Sequence, residues 1–214
     1  MNNENKVLKT LKPINRGLSV VSILLGLYAI ATLVIFNFAD VITIITDEGT
    51  KYAEGFSYPG YQTIFAGYGN MIIQGYSEAG FNIWMCLGMF LPFVGCIVAT
   101  VMLITNFSRR GTNLKRAIVE GVVALALIFG GIILFNVDKF WVSSAKAVTD
   151  SYTDYYATYL KPAMEGELYF GKCFYPTYTL AICLTAGIVK LIDCAALLFQ
   201  KYYARKVSKE AKAQ

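Results

Sequence analysis

Four stretches of the chain stay apolar for longer than a soluble core helix requires. They cover residues 17–38, 81–107, 117–136 and 174–200, and each reaches the roughly 20 residues that a membrane-spanning helix needs. A buried soluble helix can imitate one such run, but not four. The pattern therefore predicts an all-α membrane fold, a four-helix transmembrane bundle. Between the spans lie two long connections, 39–80 and 137–173, and a short one, 108–116; polar tails, 1–16 and 201–214, flank them. The first span is longer than the 7–15 apolar residues of a typical cleaved leader, and no A-x-A-like site follows it. It reads as an uncleaved signal anchor.

The long connections differ in pattern. Residues 39–80 contain Gly49, Gly55, Gly60, Gly67, Gly69, Gly75 and Gly80, with Pro59, which favours turns and short irregular or strand pieces over helix. The apolar content of this stretch (Phe56, Tyr58, Tyr61, Ile64 and Phe65 among others) is too high for a loose linker. It predicts a folded cap. In the other connection Trp141, Ala145, Val148, Tyr152, Tyr155 and Tyr159 recur at alternating spacings of four and three, the seam of an amphipathic helix. A helix over 137–160 follows, either continuing span three outside the membrane or bending near Asn136 to lie along the surface. Pro162 closes it. Its aromatic seam has three uses open to it: packing on the first connection, resting among headgroups, or forming a partner face from Trp141, Tyr152, Tyr155 and Tyr159.

Composition reinforces the membrane reading. Hydrophobic residues make up 56% of the 214 and charged residues only 15%, against about a quarter charged in soluble domains. The charges set orientation. Lys6, Lys9, Lys12 and Arg16 precede span one; Arg109, Arg110, Lys115 and Arg116 lie between spans two and three; Lys201, Arg205, Lys206, Lys209 and Lys212 follow span four. Basic residues collect on the cytoplasmic side, so both termini are expected there, in the plasma membrane. The net charge of +5 is thus explained by topology and by contact with the lipid bilayer, and does not point to nucleic acid. The C-terminal tail reads as a helical end fraying into disorder.

Candidate chemistry concentrates in span four, which carries Lys190 and Asp193 within AGIVKLIDCAALLF. On a helical wheel Thr179, Cys183, Ala186, Gly187, Lys190, Asp193, Cys194 and Leu197 share one side, and Ala117, Glu120, Ala124, Leu127 and Gly131 share a stripe of span three. Ionisable residues avoid lipid, so both faces should look into the bundle. There Glu120, Lys190 and Asp193 form an intramembrane polar cluster, either an internal ion pair that fixes packing or a site for a proton, ion or anionic solute. Pro92 is expected to kink span two. The pairs Gly95/Ala99 and Ala126/Gly130 are small-xxx-small patterns of the kind that bring helices together.

Enzyme chemistry finds no footing. There is no histidine, which removes the common zinc patterns and the usual serine-hydrolase base; no P-loop, nucleophile elbow or zincin motif occurs. No metal or cofactor is expected. Five cysteines lie in or beside spans two and four, without a C-x-x-C pair. Cys86 and Cys173 fall near the same membrane boundary, where a disulfide between them and two free thiols are both compatible with the spacing.

The run GYQTIFAGYGN (Gly60–Asn70), leading into FNIWMCLGMFLPFVGCIVATVML, resembles small tetraspan membrane proteins of low-GC Gram-positive bacteria. These place a Gly-aromatic-Gln-x-x-Phe-x-Gly stretch before their second span. The resemblance covers residues 60–106, implies a bacterial plasma membrane, and supplies neither an activity nor site residues. The leading expectation is a non-enzymatic membrane protein that binds another membrane or cell-surface protein, or itself as a homo-oligomer, through its extracellular cap. The alternative is a small transporter or channel subunit using Glu120, Lys190 and Asp193.

Overall fold

The computed structural model describes residues 2–47, 50–64, 82–105, 113–140 and 168–213. Four helices carry the apolar stretches: α1 (Asn2–Ile35), α2 (Ile83–Ile104), α3 (Asn113–Phe135) and α4 (Tyr175–Ala213). Each contains a segment long and apolar enough to cross a membrane: Pro13–Ile35, Ile83–Ile104, Leu114–Phe135 and Tyr175–Tyr203. The spans are those the hydropathy pattern predicts, with shifted ends. Span one begins earlier and stops at Ile35, and Phe38 belongs to a strand instead. The C-terminal tail does not fray as expected, because α4 runs on to Ala213. Its last turns hold Lys206, Lys209 and Lys212 around Ala211 and Ala213, strong helix formers whose cations suit a helix C-terminus.

The fold is not all-helical. Strands β1 (Asn37–Asp47), β2 (Thr50–Pro59) and β3 (Leu168–Lys172) form an antiparallel sheet in the order β2–β1–β3. Six consecutive β-branched residues, Val41–Thr46, explain why the chain leaves the helix for a strand. Two compact units are distinguished: Met1–Ala29, Phe90–Gly131 and Ala181–Gln214 in the first, Ile30–Met89 and Ile132–Leu180 in the second.

In the second unit the sheet is tied to the end of α1. Gly60 N–H donates to the Phe36 carbonyl at 3.2 Å and Tyr61 N–H to the Leu33 carbonyl at 2.8 Å, so the chain leaving β2 satisfies carbonyls at the helix C-terminus. Glycine is required at position 60 by close approach, since a Cβ there would lie 2.9 Å from Leu33 Cα. Phe38 is the extra residue of a β-bulge between Asn37 and Ala39. Its ring is fully buried with Leu33, Ile64, Met85 and Leu134. Asn82 caps α2, its Oδ1 accepting from the N–H groups of Trp84 and Met85, both at 3.1 Å, a bond type worth about 1 kcal/mol. After α3 the chain turns at Asn136 and residues 137–140 are helical again. The remainder of the amphipathic helix expected over 137–160, with Trp141, Tyr152, Tyr155 and Tyr159, lies outside the described residues, as does 65–81 of the expected cap.

In the first unit all four helices contribute to one apolar cluster, Ile23, Cys96, Ala99, Val123, Leu127 and Ala186. Gly95 faces Val123 and Ala126 at ordinary contact distance, so the small-residue patterns of α2 and α3 meet each other within the chain. Exposed positions are apolar (Leu24, Val101, Val122, Ile188 and Ile192, for example), whereas the buried set includes Ser19, Glu120, Lys190 and Asp193. This inversion of the soluble pattern suits helices surrounded by hydrocarbon. Thr185 fits the same environment: its exposed hydroxyl donates back to the Ala181 carbonyl at 2.8 Å. Pro92 is buried and α2 is continuous through it.

Candidate functional site: a buried ion cluster in the first unit

The predicted faces of α3 and α4 turn inward as their spacing requires. Ala117, Glu120, Ala124, Leu127 and Gly131 of α3 are buried, as are Thr179, Cys183, Ala186, Gly187, Lys190, Asp193 and Leu197 of α4. Their small side chains allow close approach; a Cβ on Gly187 would stand 2.5 Å from Ile128 Cγ1 and 3.1 Å from the Ala124 carbonyl oxygen. That proximity lets a lysine on α4 reach a carboxylate on α3.

Lys190 Nζ donates to Glu120 Oε2 at 2.5 Å and to Ser19 Oγ at 3.0 Å. Ser19 in turn donates to Asp193 Oδ2 at 2.7 Å. Lys190 and Asp193 stand farther apart, 3.9 Å, so their attraction is carried largely through the serine hydroxyl. Arg116 approaches Glu120 from one turn below on α3, Nε to Oε1 at 3.6 Å. Lys190 and Asp193 are 0% exposed and Glu120 1%. Two cations and two carboxylates therefore share one buried cluster and balance in formal charge. Short charge-assisted bonds offset part of a desolvation cost that no single ion could bear there.

The structure brings together Glu120, Lys190 and Asp193, the three residues singled out from spacing, and adds two. Ser19 is one, and its signal in the sequence is the seam that Asn15, Ser19, Ser22 and Gly26 form at spacings of four and three. Arg116, expected among the cytoplasmic basic residues, is the other addition. Ser22 extends the α1–α4 contact, donating to the Ala186 carbonyl at 3.0 Å. Cys194 Sγ donates to the Ala117 carbonyl at 3.1 Å and joins α4 to α3. Cys86 and Cys173, the candidate disulfide, are both half-buried and are not joined to each other. Among the described residues no group of histidine, cysteine and carboxylate side chains could hold a metal ion. Neither family models nor curated proteins give any match to this chain.

Proposed function

We propose that the chain is a non-enzymatic, multi-pass plasma-membrane protein, an accessory or partner-binding subunit that acts through the segments joining spans one to two and three to four. The observation that carries this reading is the sheet: β1 and β2 come from the first of those connections and β3 from the second. Two separate connections thus build one ordered element, as a binding module needs. The charge-balanced cluster fits a packing role beside it. Purification from native membranes in mild detergent tests the reading. A stoichiometric partner is expected with the intact chain and lost when Ile44–Ala53 is replaced by a two-residue turn. A chain that elutes alone, or keeps its partner without the hairpin, would sink the proposal.

Orientation follows from the basic residues, which put both termini in the cytoplasm. In intact cells an impermeant thiol reagent should modify Tyr61→Cys and leave Arg205→Cys untouched; the opposite result would reverse the topology. One observation favours a second reading, a small transporter or channel subunit built on Glu120, Lys190 and Asp193. Asp193 Oδ1 is buried without a hydrogen-bond partner among the described residues, as an oxygen reserved for a solute would be.

A further inference from the structure

All the buried polar side-chain atoms of the first unit that find no hydrogen-bond partner among the described residues lie on one side of Lys190. They are Asn15 Oδ1, Arg116 Nε, Asp193 Oδ1 and Gln200 Nε2. The antiparallel contact of α1 and α4 fixes this. Ser19 meets Asp193 and Ser22 meets Ala186, so moving toward the start of α1 moves toward the end of α4. Asn15 is one turn before Ser19, Arg116 is one turn before Glu120, and Asp193 and Gln200 both follow Lys190. Gln200 lies about 15 Å along the helix from Lys190.

On the other side the interior is closed. Ser22 is bonded to the Ala186 carbonyl, and Ala29, Ala124, Leu127, Cys183 and Ala186 are each buried to within 1%. The atoms that lack a hydrogen bond are mixed in kind, two acceptor oxygens and two N–H donors, Arg116 Nε making only its 3.6 Å ion pair, within a cluster whose formal charges already cancel. A bare cation would satisfy the oxygens and face the donors; an anion would do the reverse. Water serves both, donating to Asp193 and Asn15 and accepting from Gln200 and Arg116.

We propose that water enters the first unit from the end where α1 begins and α4 finishes, hydrates Asn15, Gln200, Arg116 and Asp193, and stops at Lys190. The inlet has one mouth. It accounts for a tolerable lysine at this depth, because the cluster keeps solvent on one flank while its other flank is sealed.

Two measurements test it. With the five native cysteines replaced by alanine, Asn15→Cys and Gln200→Cys should react with a small methanethiosulfonate ammonium reagent about tenfold or more faster than Ala186→Cys, since the thiolate forms only where water reaches. In the unaltered protein, X-ray radiolysis should oxidise Leu197, which sits between Asp193 and Gln200 at 2% exposure, and spare the equally buried Leu127. Leu197 and Leu127 equally protected would overturn the proposal, and this result decides if the cysteine variants fail to fold. Ala186→Cys reacting as fast as Asn15→Cys would overturn the one-ended inlet by showing a path past the lysine.

Discussion

Lys190→Met should lower stability by about 3–5 kcal/mol, the usual consequence of removing one partner from a buried pair. The loss comes from what remains. Glu120 keeps only the more distant Arg116 contact at 3.6 Å, and Ser19 loses the donor that oriented its hydroxyl toward Asp193. Sequence alone suggests Asp193→Asn as the compensating change. The geometry selects Glu120→Gln, because the short bond runs from Lys190 to Glu120 while Asp193 stands at 3.9 Å. Lys190→Met with Glu120→Gln should recover most of the stability; Lys190→Met with Asp193→Asn should recover little. Thermal unfolding in detergent gives the comparison, and equal losses in both double variants would remove Glu120 as the principal partner. Growth or flux in cells separates the two functional readings. A stable, correctly inserted Lys190→Met/Glu120→Gln protein that has lost all cellular function would establish the transport reading and displace the packing one.

Gly187→Val should cost about 3 kcal/mol, at the upper end for overpacking. The first added carbon already stands 2.5 Å from Ile128 Cγ1, and the Ala124 carbonyl behind it is backbone that a rotamer change cannot move. α3 and α4 must separate, and the bond from Lys190 to Glu120, which bridges those helices, lengthens with them. The loss should therefore be non-additive with Lys190→Met/Glu120→Gln, the triple variant being more stable than independent effects predict. Strict additivity of unfolding midpoints would show that the glycine contact and the ion pair are separate features. Truncating Ile128 to alanine in the Gly187→Val background should restore part of the stability by making room.

The helices and the cluster were legible for physical reasons that act locally. Hydrocarbon demands long apolar runs, and charge avoidance of lipid forces Glu120, Lys190 and Asp193 to face inward at helical spacing. Ser19 and Ser22 were harder to see because a hydroxyl costs little in a span and so leaves the hydropathy pattern unmarked. The run Val41–Thr46 has strand propensity, but the glycines that follow from Gly49 onward favour turns and short pieces over a regular sheet. Leu168–Lys172 carries little signal of its own. Five residues become a strand there because Ala39–Thr43 offers an edge, and that information belongs to the fold rather than to the segment.

The β1–β3 pairing joins Ala39 to Lys172 and Thr43 to Leu168, residues that enter the sheet from opposite sides of α2 and α3 in the chain. The hairpin of β1 with β2 can form as soon as its strands are made, but one side of β1 waits for the last connection. Glu120 waits in the same way, since the ammonium it receives is on α4. The chain after α3 thus supplies both the strand that completes one side of β1 and the cation that Glu120 receives.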